Sequence, residues 1–148
     1  SNRIVKSMRI LAVLSLVALL FSSCATNNLY YWGSMSNDIS EYERAVYGYY
    51  KYQSPESVCR LIAMYQDIIT TCKENEKMIP PGICAEFGYV LLNPDNEAYF
   101  NEHASKSQRN MMKGLVFMEY GKEMMEKEVA LYPEARKFLE PVIERISK

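Results

Sequence analysis

Reactive groups are few in this 148-residue chain: one histidine, four cysteines and 18 carboxylates. Acyl transfer needs a nucleophile with a base beside it, but His103 sits in a polar stretch next to Glu102, and no Gly-x-Ser-x-Gly elbow occurs. His103 reads as a solvated side chain. Two carboxylates suffice for glycosidic cleavage, yet among 18 acids any pair can be chosen, so their presence discriminates nothing. Asn93-x-Asp95-x-Glu97 starts like a calcium loop, but Ala98 holds the required glycine position and Ala104 the final glutamate position. No glycine-rich phosphate loop is present, and no Cys-x-x-Cys or histidine pair accompanies the cysteines to make a zinc site. The chain reads as non-enzymatic, with neither metal nor cofactor expected.

The chemistry that does stand out is at Cys24. Arg3, Lys6 and Arg9 lead into an apolar run over 10–21, broken only by Ser15, and then into Ser22-Ser23. A basic head, a short apolar stretch and small residues before a cut make a secretory signal. The twelve residues of the run rise only about 18 Å as a helix, short of the ~30 Å hydrocarbon core, so a signal is favoured over a permanent span. Leu20-Phe21-Ser22-Ser23-Cys24 resembles the bacterial lipobox, where cleavage precedes a cysteine that takes a diacylglycerol on its sulfur; Phe21 stands where leucine is usual. Several acyl chains, at ~0.8 kcal/mol per buried CH₂, hold where a single chain is marginal. Ala25-Thr26-Asn27-Asn28 has no aspartate beside the cysteine, which points to outer-membrane sorting with the body in the periplasm. After residue 23 the chain keeps 14 of its 17 basic residues and all 18 acidic ones, a side-chain charge of −4. Such a body does not cling to anionic lipid by its surface, and a pI near 5.9 excludes a strongly basic nucleic-acid binder.

Three cysteines remain beyond Cys24. Cys59 and Cys72 lie thirteen apart on one expected helix, roughly 20 Å along its axis, too far for a bond. Cys84 is within reach of Cys72 across the turn at Pro80-Pro81, a candidate disulfide. Three buried free thiols packing as small apolar groups are the reading preferred over it.

The elements that position these groups are helical. With 49% apolar and 24% charged residues, one small globular domain is expected. Residues 1–23 form the signal, 24–37 the lipidated cysteine and tether, and 38–148 the folded body. Asn37 or Asp38 is the expected cap of a helix reaching Tyr52, with Ile39, Tyr42, Val46 and Tyr49 as its stripe. Ser54-Pro55 starts a second helix as N-cap and first-turn proline, its stripe Val58, Leu61, Ile62, Tyr65, Ile69 and Cys72. A third follows over 83–92, burying Ile83, Phe87, Val90 and Leu91. Residues 93–110 read as a polar insertion, weakly patterned over 97–110 and holding one short helix. A long helix is expected over 111–131, with Met111, Leu115, Met118, Met125 and Val129 on one side. A last helix begins near Tyr132-Pro133, with Pro141 expected to kink or end it. No stretch alternates like a strand. The fold class is all-α: a helical-hairpin, tetratricopeptide-like array of about five to six helices after the signal. Phe87-Gly88, Gly121, Met125, Leu131 and Pro133 fit that repeat's spacing, while Glu128 stands where the repeat wants alanine.

Leu29-Tyr30-Tyr31-Trp32-Gly33, Tyr47-Gly48-Tyr49-Tyr50-Lys51, Pro80-Pro81-Gly82-Ile83-Cys84-Ala85-Glu86-Phe87-Gly88-Tyr89 and Lys127-Glu128-Val129-Ala130-Leu131-Tyr132-Pro133-Glu134 occur in this order. Together they resemble a family of small bacterial lipoproteins catalogued as domain of unknown function 4810. The resemblance implies a repeat-like helical fold and no established activity. It also implies an envelope assembly that includes a lipoprotein similar to the curli secretion channel.

What remains is a surface for binding. Twelve tyrosines are many for this length, and tyrosine gives contact area with little entropy to lose. Trp32, Tyr49, Tyr50, Glu86, Tyr89 and Glu128 are the candidate partner-binding residues. For Glu86 and Glu128 a structural role stands beside ligand contact: bonding turn donors, capping a helix, or pairing with Arg44 or Arg60. The expected function is that of a lipid-anchored periplasmic adaptor for an envelope protein; a module binding cell-wall glycan or a small ligand is the competing class.

Overall fold

The computed structural model describes residues 2–25 and 29–148, residues 16–25 by their backbone alone; the Cys24 side chain lies outside it. Among the described residues, helix makes up 75% of the structure in eight segments, beside one very small sheet. α1 (Asn2–Ala25) exposes every described side chain. Among the described residues, no helix is long and apolar enough to cross a membrane.

The body begins where the chain turns back on itself. β1 (Met35–Ser36) and β2 (Ile39–Ser40) pair antiparallel across Asn37 and Asp38, at φ 50° and 60°. Two left-handed residues in a two-residue loop match the right-handed twist of a hairpin. A helix cap needs extended backbone, so neither Asn37 nor Asp38 caps the next helix. Ser40 does, with Glu43 completing a capping box on α2 (Glu41–Tyr52). α3 (Pro55–Glu74) starts on Ser54 and Pro55 as the sequence predicts, and Val58, Leu61, Ile62, Tyr65, Ile69 and Cys72 are all buried. α4 spans Ile83–Leu92, burying Ile83, Phe87 and Leu91, with Val90 half-buried.

The polar 93–110 stretch holds two helices rather than one. It folds as α5 (Pro94–His103) and α6 (Lys106–Met111), and α5 packs on α3. Phe100 is buried with its ring 5.3 Å from that of Phe117, and the Asn96 amide donates to the Val90 carbonyl at 3.0 Å. The long helix expected from residue 111 is also divided. Gly114 takes φ +80°, and α7 (Phe117–Leu131) starts afresh after it. Its buried face is consequently Phe117, Tyr120, Gly121, Met124, Met125 and Glu128, and Met118 points out. A 3₁₀ turn (Pro133–Ala135) leads to α8 (Arg136–Ile146), which runs through Pro141. Pro141 is exposed, so water can serve the carbonyl that its missing N–H leaves free.

α4 and α7, distant in sequence, form the closest helix pair. A Cβ on Gly88 would stand 3.0 Å from the Gly121 carbonyl oxygen, and one on Gly121 would stand 3.2 Å from that of Gly88. Two glycines let the backbones touch. α2 with α3 forms the first helical hairpin, α4 with α7 the second pair, and α8 closes on α7. Rings bind the layers together. Trp32, Tyr42, Tyr65, Phe87 and Tyr120 follow one another at centroid separations of 5.1, 6.4, 5.4 and 5.6 Å.

Candidate functional site

Two helices present matching triplets across one groove. On α2, Val46, Tyr49 and Tyr50 fall at i, i+3 and i+4; on α4, Glu86, Tyr89 and Val90 do the same. Residues so spaced share one helix face. Leu61 and Tyr65 of α3 form the floor, and the groove encloses about 230 Å³. Four residues singled out from sequence, Tyr49, Tyr50, Glu86 and Tyr89, thus meet at one place. Tyr50 and Tyr89 are 71% and 52% exposed, open to anything that enters.

Among the described residues, Glu86 is the only charged group in this lining. It does not pair with Arg44 or Arg60. Both guanidiniums go to Glu41, at 3.0 and 2.8 Å, tying the start of α2 to α3. Glu86 is instead held by phenols. The Tyr42 hydroxyl donates to both carboxylate oxygens at 3.0 Å, and the Tyr65 hydroxyl to Oε2 at 3.0 Å. Burial, then the neighbouring Glu86 charge, pushes the Tyr42 hydroxyl up to about 12. The same two causes raise Tyr65, the more deeply buried of the pair. Both phenols therefore stay protonated donors at neutral pH. Tyr42 and Tyr65 were expected as core stripe residues, and periodicity carries no sign that they hold a carboxylate 44 and 21 residues away.

Trp32 and Glu128 lie elsewhere. Trp32 lines a neighbouring cavity of about 360 Å³ with Met35, Ser40, Tyr42 and Glu43. Its carbonyl accepts from the Tyr42 N–H at 3.1 Å, so the 29–33 segment helps to cap α2. That segment also runs beside Met78 in a parallel bridge, and the Tyr31 hydroxyl donates to Asp67 at 3.0 Å. Glu128 is 3% exposed and meets no partner from solvent. Its carboxylate accepts the N–H of Gly82, the N-cap residue of α4 that has no capping side chain of its own. Glu128 thus serves the positive end of a neighbouring helix. Burial raises its pKa, opposed by the N–H groups of Gly82, Cys84 and Ala85.

The remaining reactive groups do not line the groove. Cys59, Cys72 and Cys84 are buried free thiols, and no Cys72–Cys84 bond is made. Burial pushes all three thiol pKa values up, that of Cys84 to about 12, so none presents a thiolate. His103 ends α5, its ring 3.8 Å from the carboxylates of Glu56 and Glu102. The Asn93 side chain accepts the Asp95 N–H at 3.0 Å and caps α5.

A family model described as a domain of unknown function (DUF4810) matches residues 29–120. The chain belongs to this family. The DUF4810 segment contains every residue of the groove, together with the 29–33 segment that caps α2. Glu128 and α8 follow it. Comparison with curated proteins and with solved structures brings no match.

Proposed function

We propose that this DUF4810 protein is a lipid-anchored adaptor of the outer membrane, facing the periplasm, that holds an envelope protein in its α2–α4 groove without transforming it. The observation that carries the reading is the convergence of Tyr49, Tyr50, Glu86 and Tyr89 on one open groove. Exposed tyrosines around a fixed polar group have the composition of a recognition surface. At about 230 Å³ the groove falls below the ~300–1,000 Å³ common for small-molecule sites. It suits one projecting side chain of a larger partner better than a free ligand. The signal-like residues before Cys24 and the lipobox-like Leu20-Phe21-Ser22-Ser23-Cys24 support anchoring by lipid.

The test is photocrosslinking in intact envelopes from position 89, an exposed position of the same groove, with the double variant Tyr49→Ala/Tyr50→Ala and glycan binding measured alongside. The adaptor reading expects a protein crosslink that disappears in the double variant. Glycan binding lost in the double variant, with no protein captured, would replace it with the carbohydrate-binding reading. Palmitate labelling is expected to vanish in Cys24→Ser; labelling that persists would overturn the anchor.

A further inference from the structure

We infer that the α2–α4 groove reads a basic side chain of the partner, lysine or arginine, with Glu86 as counter-charge and Tyr49, Tyr50 and Tyr89 as aromatic wall. This rests on the adaptor reading and adds the chemistry by which the partner is chosen.

The first observation is a charge without a cation. Glu86 is half-buried, and among the described residues no lysine, arginine or histidine pairs with it. Arg44 and Arg60 are committed to Glu41, and Lys51 lies over the rings of Tyr47 and Tyr52 at 5.5 and 5.2 Å. Arg145 lines the adjoining groove that shares Tyr89, and its Nε–H donates to the Pro141 carbonyl at 3.4 Å. The phenols of Tyr42 and Tyr65 donate hydrogen bonds but bring no positive charge. A partly desolvated carboxylate in that state gains from an incoming cation.

Geometry supplies the second observation. A carboxylate offers about four lone-pair sites, and the two phenols occupy at most three of them. They also fix the group's orientation in advance, which lowers the ordering cost of binding. The tyrosines supply the third. Tyr49 and Tyr50 meet edge to face with centroids 5.5 Å apart, and Tyr89 stands on the opposite helix. Aromatic faces attract ammonium and guanidinium groups within about 6 Å. Lys51 already uses two tyrosines of the same helix in this way. A neutral sugar could stack on the rings and donate a hydroxyl to the carboxylate, but it would bring no compensating charge.

The test is an NMR titration of the chain with N-acetyl-arginine amide and N-acetyl-lysine amide, against N-acetyl-citrulline amide and N-acetylglucosamine. Citrulline keeps the shape of arginine and removes its charge. The basic probes are expected to shift the resonances of Tyr49, Tyr50 and Tyr89. Citrulline should bind about tenfold more weakly or worse, and Glu86→Gln should weaken arginine by a similar factor. The amide oxygen introduced by Glu86→Gln still accepts from Tyr42 and Tyr65, and Tyr89→Ala, at an exposed position, gives a second variant that leaves the fold intact. Equal binding of citrulline, tighter binding of the sugar, or insensitivity to both substitutions would overturn the inference. In the envelope crosslink, loss in Tyr49→Ala/Tyr50→Ala but not in Glu86→Gln sinks the charge reading alone. No crosslink from the unmodified groove sinks the adaptor reading as well.

Discussion

Replacing glycine by alanine at two helix positions should change stability in opposite directions. Gly48 lies inside α2 and Gly88 inside α4, both in helical backbone. Alanine is favoured over glycine in a helix interior by about 1 kcal/mol, a gain common to both sites. A Cβ at Gly48 meets nothing within 4 Å, so Gly48→Ala should stabilise by roughly that amount. At Gly88 the new methyl would stand 3.0 Å from the Gly121 carbonyl oxygen and 3.0 Å from both Cγ and Cε of Met125. The methionine can turn away; the backbone oxygen moves only if α7 moves. Overpacking of this kind costs about 1–3 kcal/mol, so Gly88→Ala should be destabilised by up to about 2 kcal/mol. Since the helix term is shared, the gap between the variants isolates the overpacking cost at about 1–3 kcal/mol. Urea unfolding followed by far-UV circular dichroism measures it, with unchanged m-values required for the comparison. If Gly88→Ala gains as much as Gly48→Ala, then α4 and α7 are not in backbone contact and the packing argument fails.

Two further predictions follow from the same structure. Burial raises the Glu128 pKa above the ordinary 4.5, so its contribution to stability is full below that value and is lost as pH rises through the raised one. Unfolding free energies at pH 4 and pH 8 should therefore fall more steeply with pH for the native chain than for Glu128→Gln; parallel curves would refute this. Glu41 and Glu43, both lowered, act in the opposite sense but are common to both chains and cancel. Gly33 has φ +87° and its Cβ would lie 2.8 Å from that of Glu41, so Gly33→Ala should cost about 2–4 kcal/mol and lower the thermal midpoint by several degrees. An unchanged midpoint would mean that the 29–33 segment does not hold α2.

Periodicity located α3 and α4 because both bury a continuous stripe, and it failed where burial is sparse. α5 buries only Asn96 and Phe100, too few to mark a face by spacing. Its caps carried the signal instead. Asn93-Pro94 repeats the syntax of Ser54-Pro55, and Ser105 with Gln108 makes the same capping box as Ser40 with Glu43. Asn37-Asp38 was a hairpin turn by the same logic, since two adjacent left-handed positions suit these residues better than a helix start does. The division of 111–131 was written in Gly114. Tyr49, Tyr50, Glu86 and Tyr89 were recognisable as candidate binding residues. Their meeting was not, because it depends on the packing of α2, α3 and α4 around Tyr42 and Tyr65.

Three glutamates show how donors, rather than residue type, decide a carboxylate's role. Glu41 meets two guanidiniums and is neutralised, so it ties α2 to α3 and has no charge left to offer. Glu128 meets the bare N-terminus of α4 in a closed interior; it serves the helix and is hidden from solvent. Glu86 meets only phenols, on one side, and faces a groove on the other. If Glu86 served the fold alone, a glutamine would satisfy the same two hydroxyls without the cost of desolvating a charge. A full negative charge, held rigid and left uncompensated between exposed tyrosines, is better explained by something basic that arrives from outside.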